Sequence, residues 1–461
     1  MAQENRSFDH YFGYLRQYWA DNGIPDQSID GLAQFNPPAG SQPAPAIPGC
    51  NASDPPPDAC NPDPTNLITS YHLQTECVEN PSPSWNESHV DWNYADPTGF
   101  NPPALNGFVE TAANDARQNN PPFMDTDGLR AMGYYDSDDL NFYYFMATDF
   151  ATSDRWFSPV MSRTQLNRMY MMAGTSVGHA YPIGSDNPYD QGQLTVPPIF
   201  ESLQNAGITW KIYIYPDPEA DGNCPANSTT PQCLFNVSYI NMFTYGNTIV
   251  NDPTLSQNLV PISQFATDAA NGTLPQVAWI EPPSDAGLDE HPSDFDSQPF
   301  NIQPGAAFVE GLMNDLMQSP NWKDSAMIFT YDEFGGFYDH VAPQAAVSPD
   351  GIPPMDLEAG DWCTTGKGDG GPLCDFTWTG YRIPLIVVSP FTKKNYVSHT
   401  VADSTAILKF IETRFNLASL TARDAAQPDM TEFFDFVNIP WATPPTPPAQ
   451  NTNGACSLSP P

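Results

Sequence analysis

Short apolar segments of β-rich composition alternate with amphipathic segments along most of the chain, and this alternation restricts the possible folds more than any other feature. The apolar segments occupy residues 209–215, 276–280, 326–330 and 383–389, and the helical ones occupy residues 138–150, 198–205, 305–318 and 404–415. Buried strands that alternate with helices are typical of a mostly parallel sheet with helices on both faces. The sequence therefore predicts an α/β/α sandwich.

The chain has 461 residues, which is long for one domain but within the range of large α/β proteins with insertions. We expect residues 1–439 to form a single domain. Residues 21–67 and 216–240 are interpreted as insertions because they are rich in proline, glycine and polar residues. Residues 440–461 are a proline-rich tail in which nothing except Cys456 is expected to pack.

Eight cysteines indicate that the chain folds in an oxidising compartment. Six of them form short-range pairs across polar loops, namely Cys50 with Cys60, Cys224 with Cys233 and Cys363 with Cys374, which leaves Cys77 and Cys456 for a longer bridge. Disulfide bonds of this kind persist outside the reducing cytosol. The alternative is that the cysteines are unpaired thiols of a cytosolic protein. The sequence therefore predicts disulfide-stapled insertions.

Secretion is also favoured by glycosylation signals. The acceptor pattern Asn-x-Ser/Thr occurs at Asn51, Asn86, Asn227, Asn236 and Asn271. The chain begins without a basic and apolar leader, so we expect a secreted protein whose leader is removed or whose start is truncated.

The charge of the chain restricts its partners. Fifty-four acidic residues against 16 basic ones give a net charge of −38. The negative electrostatic field of such a chain repels phosphate backbones, so we expect no nucleic-acid partner. No window approaches ~18 consecutive apolar residues, so no integral membrane association is predicted. A small-molecule partner is expected, and nothing in the sequence specifies an oligomeric state.

Two pairs of oxygen donors are candidate ligands for a cation. Asp332 and Glu333 follow a predicted strand, where ligand-binding side chains gather in α/β sheets, and a Gly-Gly pair then lets the backbone approach a ligand closely. Glu4 and Asn5 add a carboxylate and a carboxamide oxygen. Either pair alone is equally compatible with a solvated polar turn. Together they would supply four oxygen-rich ligands for one metal ion.

Two hydroxyl groups, those of Ser162 and Thr164, lie just before a helix predicted from Leu166 onward. A cation can lower the pKa of a hydroxyl so that it attacks phosphorus, and helix N-termini attract phosphate. Both hydroxyls are chemically suitable, and the alternative role for Thr164 is to cap the helix.

Two of the seven histidines are candidates for acid–base chemistry. His89 and His291 lie close in sequence to carboxylates, and an imidazolium can donate to a phosphate oxygen or protonate a leaving alkoxide. We expect no catalytic role for His72, His179 and His399.

Five motifs occur in a fixed order and together carry a resemblance to a known family. They are Glu-Asn-Arg-Ser-Phe-Asp-His-Tyr-Phe-Gly at 4–13, Thr-x-x-Asn-Arg at 164–168, Asp-Glu-His-Pro at 289–292, Tyr-Asp-Glu-x-Gly-Gly-x-Tyr-Asp-His-Val at 331–341 and Arg-Ile-Pro-Leu-Ile-Val-Val-Ser-Pro-Phe at 382–391. The chain resembles the phosphoesterase family of non-haemolytic phospholipases C, plant non-specific phospholipases C and certain acid phosphatases. That family belongs to the alkaline phosphatase superfamily, and the resemblance runs from Glu4 to about Phe415.

The resemblance implies a role for each matching residue. It implies that one divalent ion, for which Ca²⁺, Mg²⁺ and Mn²⁺ are all plausible, is bound by Glu4, Asn5, Asp332 and Glu333, with Thr164 as the metal-bound nucleophile. Thr164 is preferred over Ser162 because the family's nucleophile lies three residues before the Asn-Arg pair. Asn5, His89 and His291 would contact the phosphate of the substrate. His340 belongs to one of the motifs but is given no role.

The expected function is therefore metal-assisted hydrolysis of phosphate esters through a covalent phosphothreonine. The enzyme would be of the acid phosphatase or phospholipase C type, with a small phosphate ester or a phospholipid head group as substrate. A secreted non-catalytic binding or structural protein, or an inactive truncated homologue, is the alternative.

The sequence departs from the family at two places. Ser162 and Arg163 stand where Gly-Pro is usual, and the extra guanidinium would either bind a second phosphate substituent or form an outward salt bridge. The first motif normally follows a hydrophobic strand, whereas here only three residues precede Glu4. We therefore expect Glu4 and Asn5 to be the least securely positioned part of the site.

Overall fold

The computed structural model describes residues 1–26, 28–36, 42–99, 102–184, 192–220, 223–293, 299–364 and 374–458. Its strands are β1 (Ala2–Gln3), β2 (Ala46–Cys50), β3 (Pro62–Thr69), β4 (Tyr71–His72), β5 (Gly133–Tyr134), β6 (Ala151–Ser153), β7 (Trp156–Phe157), β8 (Trp210–Ile214), β9 (Leu259–Pro261), β10 (Val277–Ile280), β11 (Met327–Tyr331), β12 (Leu385–Val388), β13 (Tyr396–Ser398) and β14 (Ala402–Asp403). Its helices are α1 (Phe8–Phe12), α2 (Leu15–Asp21), α3 (Trp85–Trp92), α4 (Phe108–Gln118), α5 (Asn141–Asp149), α6 (Thr164–Ala173), α7 (Ile199–Asn205), α8 (Pro231–Val237), α9 (Thr244–Asn251), α10 (Ser263–Asn271), α11 (Ile302–Met317), α12 (Ala406–Phe415) and α13 (Ala422–Ala425).

The central sheet contains five strands in the order β1-β11-β12-β6-β13. β1 is parallel to β11 and β6 is parallel to β13, whereas β12 runs antiparallel to both of its neighbours. A second sheet, in the order β10-β8-β9, is wholly parallel. The fold is thus α/β as predicted, with parallel and antiparallel pairing mixed in the central sheet.

Helices pack on both faces of the second sheet. The side chains of a strand alternate between the two faces, and here the side chains on each face are buried by helices. Tyr213 of β8 packs in one core with residues of α5, α10 and α11. Its neighbours Ile212 and Ile214 pack in another core with residues of α6, α7 and α12. This two-sided burial is the sandwich that the alternation of strands and helices predicts.

The predicted strands and helices are confirmed, with ends that shift by a few residues. The segment 383–389 forms β12, whose four residues are all buried, and the segment 138–150 forms α5. The segment 305–318 forms α11, which begins three residues earlier than predicted because Asn301 caps it by accepting a hydrogen bond from the Gln303 amide.

The start of the chain is better ordered than the sequence led us to expect. β1 pairs with β11 so that Ala2 lies opposite Thr330 and Gln3 opposite Tyr331. The amide of Asp332 then donates to the Gln3 carbonyl at 3.0 Å, which continues the pairing beyond β11. The expectation of insecure positioning is wrong, since this short strand leaves Glu4 and Asn5 only 5% and 2% exposed.

All eight cysteines form disulfides in the predicted pairs, Cys50–Cys60, Cys77–Cys456, Cys224–Cys233 and Cys363–Cys374. Within the segments interpreted as insertions, β2 and β3 form an antiparallel hairpin next to the first of these bridges. In the described ranges of the chain, no helix is both long and apolar enough to cross a bilayer.

The tail packs against the domain through more than its disulfide, contrary to expectation. Gln450 is buried and donates through its side chain to the Asp139 carbonyl at 2.8 Å. Trp441 packs against Phe150, with ring centroids 5.1 Å apart, and its carbonyl accepts from the Trp322 indole. The sequence did not predict these contacts, because they involve isolated residues of a proline-rich segment that has no periodic pattern.

Candidate active site

The four predicted oxygen ligands meet at the edge of the central sheet. Glu4 and Asn5 follow β1, and Asp332 and Glu333 follow β11. Because β1 and β11 are parallel neighbours, their carboxyl ends lie side by side. The Asn5 amide donates to Asp332 Oδ1 at 3.1 Å, and the next amide, that of Arg6, donates to the Glu333 carbonyl at 3.0 Å.

The backbone at this edge is unusually tight. Asn5 adopts a left-handed conformation with φ of 61°, which asparagine tolerates better than most residues. Gly335 has φ of 72°, and a Cβ atom at that position would lie 2.2 Å from the Asn5 carbonyl oxygen. Its amide donates to Glu333 Oε2 at 2.6 Å. The Gly-Gly pair thus lets the two ligand-bearing loops touch.

Thr164 faces this cluster from the first turn of α6. Its side chain is half-buried, and its hydroxyl donates to Asn5 Oδ1 at 3.3 Å. Ser162, the competing hydroxyl, is fully buried and donates to the Ala180 carbonyl at 2.7 Å. The N-cap of α6 is the exposed Arg163, so the capping role considered for Thr164 is wrong. Of the two hydroxyls, Thr164 is the one that contacts a candidate ligand.

Arg168 is a central residue of the site to which the sequence interpretation gave no role. It is 1% exposed and donates through Nη2 to Glu4 Oε1 at 3.2 Å, while Nε lies 3.2 Å from Asp332 Oδ2. Its guanidinium lies over the Tyr239 ring, 4.3 Å from the centroid, and Tyr239 donates its hydroxyl to Glu4 Oε1 at 2.6 Å. The four-residue spacing between Thr164 and Arg168 could have predicted this position, since residues four apart lie on the same face of a helix.

Burial of so many acidic groups shifts their protonation. Burial raises the pKa of Asp332 to about 6, although Arg168 opposes the shift. Burial, followed by repulsion from Asp332, raises the pKa of Glu333 well above its usual value. Within the described residues, Glu333 Oε1 and Asp332 Oδ2 are buried without accepting a hydrogen bond. These oxygens without a hydrogen bond, together with Asn5 Oδ1 and the Thr164 hydroxyl, suit a divalent cation.

His291 is joined to the same cluster through Asp289. The Glu4 amide donates to the Asp289 carbonyl at 3.0 Å, and the His291 amide donates to Asp289 Oδ1 at 3.1 Å. The ring donates through Nδ1 to the Pro292 carbonyl at 2.6 Å, because a carbonyl can only accept. Burial, followed by the Glu4 charge, raises the pKa of Asp289 to about 7. The catalytic role of His291 remains a prediction.

His89 lies on α3 and is fully buried. Its Nδ1 donates to the Trp85 carbonyl at 2.6 Å, and its ring centroid lies 4.4 Å from that of Trp85. Trp85 shares a hydrophobic core with Leu166 and Tyr170 of α6, so His89 is linked by packing to the helix that carries Thr164. The predicted phosphate contact of His89 also remains a prediction.

The remaining motif histidine, His340, belongs to a buried network of charges. Its Nδ1 lies 2.6 Å from Asp9 Oδ2, and Arg382 donates to both Asp9 and Asp339. Burial alone would lower the pKa of His340, but the Asp9 carboxylate raises it to about 9. The network joins three of the five sequence motifs.

The three histidines expected to be uninvolved also pair with aspartates, as His72–Asp139, His179–Asp356 and His399–Asp154.

A cavity of about 250 Å³ borders the carboxylate cluster. Seven of its lining residues are polar, namely Gln165, Tyr215, Ser238, Tyr239, Asn241, Glu281 and Ser284. Gln165 follows Thr164 in the chain, and both Tyr239 and Ser284 donate to Glu4 Oε1. The cavity therefore lies within one side chain of the candidate ligand Glu4.

The chain belongs to the Phosphoesterase family, whose model matches residues 1–418. The resemblance drawn from the five motifs is confirmed. Membership of this family, with the relatives described next, makes the chain a phosphoester hydrolase and favours the enzyme over the non-catalytic alternative.

Its curated relatives include phospholipases C from bacteria and a plant. The chain is 30% identical to phospholipase C B of Mycobacterium tuberculosis, over 98% of this chain and 78% of that protein. It is 29% identical to the non-hemolytic phospholipase C of Burkholderia pseudomallei, over 95% of this chain and 58% of that protein. It is 26% identical to non-specific phospholipase C4 of Arabidopsis thaliana, over 87% of this chain and 62% of that protein.

Among solved structures, murine ectonucleotide pyrophosphatase/phosphodiesterase 5 matches 64% of this chain and 94% of its own, at 10% identity and a TM-score of 0.33. A protein of the alkaline phosphatase superfamily from Vibrio parahaemolyticus matches 62% and 63%, at 10% identity and a TM-score of 0.32.

Proposed function

We propose that the chain cleaves phosphodiesters of the phospholipase C type, with Thr164 as nucleophile and a divalent cation bound by Glu4, Asn5, Asp332 and Glu333. The observation that supports this best is the hydrogen bond from Thr164 Oγ1 to Asn5 Oδ1, beside buried carboxylate oxygens that accept no hydrogen bond within the described residues. A bound cation would supply positive charge to the phosphate and lower the pKa of the hydroxyl.

In the first step, Thr164 loses its hydroxyl proton to solvent, and its oxygen attacks phosphorus while the bond from phosphorus to the leaving alcohol breaks. This step leaves a phosphothreonine, and His291 protonates the departing alkoxide. Asn5 and His89 contact the non-bridging oxygens, and the first-turn amides of α6 add their partial positive charge. Water then displaces the Thr164 oxygen, which regenerates the hydroxyl and releases the phosphate-bearing product.

Arg168 has a positioning role in this proposal. Its guanidinium holds Glu4 and Asp332 in place from the same helix that carries Thr164. Because nucleophile and guanidinium share a rigid helix, the hydroxyl is fixed relative to the ligands before substrate binds.

A diester is the favoured substrate because the curated relatives described above are named phospholipases C. The polar cavity, which is lined by two side chains that donate to Glu4, offers a place for one alcohol substituent of the phosphate. Because disulfides persist in oxidising surroundings, we further propose that the enzyme acts outside the cell.

The test compares Thr164→Ala and Thr164→Ser with the control Ser162→Ala on an aryl monoester, an aryl diester and phosphatidylcholine. Thr164→Ala should lose at least about a thousandfold in kcat, whereas Thr164→Ser should retain measurable turnover because it keeps the hydroxyl. Ser162→Ala should stay within about tenfold of wild type, because its hydroxyl bonds to the Ala180 carbonyl and contacts no ligand.

Rapid acid quenching followed by peptide mass spectrometry should find the phosphate adduct on residue 164 of the wild type and of Thr164→Ser. Activity of Thr164→Ala within about tenfold of wild type would contradict the assignment of the nucleophile. Cleavage of the monoester alone would contradict the proposed substrate class and leave the nucleophile assignment intact.

A further inference from the structure

A second cluster of metal-ligating side chains lies on elements different from those of the candidate active site. His72 is on β4, while Asp136 and Asp139 lie between β5 and α5. His72 Nε2 is 2.8 Å from Asp139 Oδ2 and 3.5 Å from Asp136 Oδ2. One ligand atom of each residue lies within 4.8 Å of the other two, as in a shared coordination sphere. The parallel pairing of β4 with β5 brings the three together.

Glu76 provides a separate indication that the cluster takes a ligand. It is only 6% exposed, and its carboxyl group interacts electrostatically with that of Asp139. Its Oε2 atom is buried and, within the part of the chain that the structure describes, accepts no hydrogen bond. A buried carboxylate oxygen that accepts no hydrogen bond, close to other carboxylates, requires either a proton or a cation.

The tail fixes the orientation of Glu76. A Cβ atom on Gly454 would lie 2.1 Å from Glu76 Cγ and 2.3 Å from Oε1, so the tail backbone lies directly against this side chain. The Glu76 amide donates to the Ala455 carbonyl at 2.6 Å, and the adjacent Cys77 is bonded to Cys456. With Cγ and Oε1 held against the tail, the carboxyl group is presented to Asp139.

We propose that His72, Glu76, Asp136 and Asp139 form a second divalent-cation site, distinct from the site at Thr164, whose occupant fastens the C-terminal tail to the domain. One imidazole and three carboxylates suit Zn²⁺ or Mn²⁺ better than a cation that prefers oxygen alone. Gln74 supports the imidazole, since its side-chain nitrogen lies 3.1 Å from His72 Nδ1. A half-turn of this carboxamide would let its oxygen accept Nδ1–H and leave Nε2 as the ligand atom.

The cation would join two parts of the chain that are distant in sequence, namely the segment around β4 and the turn before α5. The tail would be fastened indirectly, since Gly454 lies against Glu76 and Gln450 donates to the Asp139 carbonyl. Metal binding at such a junction stabilises the folded chain in proportion to the affinity for the ion.

The test measures bound metal on the full chain after chelator treatment and dialysis against Zn²⁺ or Mn²⁺. The variants are Glu76→Gln and Asp136→Asn, which keep the size of each side chain, with Glu333→Gln as the matched variant at the catalytic cluster. Glu76→Gln and Asp136→Asn should each bind one equivalent fewer than wild type, retain turnover, and lose the part of the metal-induced rise in melting temperature that this site contributes. Glu333→Gln should lose a different equivalent together with activity.

Equal metal content in wild type, Glu76→Gln and Asp136→Asn would overturn the proposal and would indicate a proton shared between Glu76 and Asp139. Retained turnover shows that a variant is folded, so a loss of metal cannot be attributed to unfolding. A catalytically inactive wild type that still binds the Glu76-dependent equivalent would contradict the proposed function and leave the second site intact.

Discussion

The substitution Arg168→Met tests whether Glu4 and Asp332 share one charge-compensating centre. The methionine retains the volume of the side chain but removes the guanidinium that lies 3.2 Å from an oxygen of each carboxylate. Breaking a buried ion pair on one side costs about 3–5 kcal/mol, because a charge is left in a poorly solvated position. In chelator, we therefore expect the free energy of unfolding to fall by roughly that amount.

A divalent cation should recover part of this loss. If Glu4 and Asp332 are metal ligands, the ion replaces the positive charge that Arg168→Met removes, and the difference in stability from wild type shrinks. A cation at about 100 times its dissociation constant contributes about 2.7 kcal/mol. Chemical denaturation of both proteins, in chelator and in saturating Mn²⁺ or Mg²⁺, measures this difference.

Arg423 provides the matched control. It is also fully buried, with Nε 3.0 Å from Asp403 Oδ2, and its Nη atoms donate to three carbonyls. Arg423→Met should destabilise the chain by a similar amount, with no recovery in cation. The reasoning fails if Arg168→Met costs less than about 1 kcal/mol in chelator, or if cation restores both variants equally.

Two further outcomes follow from the geometry. Gly335→Ala should lower kcat/KM by about a hundredfold, since its Cβ would meet the Asn5 carbonyl, whereas Gly351→Ala, also at positive φ but with open space around it, should retain activity. Wild-type activity of Gly335→Ala would show that the two loops can separate without harm. Because the pKa of His340 is raised to about 9 in the folded chain, its protonated ring stabilises the fold by about 3 kcal/mol. This stabilisation is complete below about pH 6.5 and is lost as the pH rises through about 9. His340→Gln should flatten the pH dependence of unfolding in that window, and an unchanged slope would refute the shift.

The elements that sequence predicted best are those whose signal is local. The strand at 210–214 and the disulfides across short loops depend on residues that are close in the chain. The direction of β12 could not be predicted, because a fully buried strand has the same apolar composition whether it runs parallel or antiparallel to its neighbours.

The parts of the site that sequence missed depend on long-range packing. Tyr239 reaches Glu4 across 235 positions of the chain, and no local pattern marks it. Arg168 lies within a recognised motif, but its contact with Glu4 could not be predicted, because it depends on the packing of β1 next to α6. The motif residues that come together at the sheet edge could be predicted because their residue types and order are distinctive, whereas the residues that hold them in place are ordinary in composition.

The left-handed backbone of Asn5 limits how the proposed cation site can be altered. An engineer who wished to change the cation preference would ordinarily exchange one oxygen or nitrogen donor for another, for example glutamine or histidine. At φ of 61° the long or bulky alternatives carry backbone strain, so aspartate and glycine are the substitutions best tolerated. Aspartate would add a further negative charge beside Asp332, and glycine would remove the donor altogether. Redesign of the donor set is therefore better directed at Glu333, whose backbone has no positive φ.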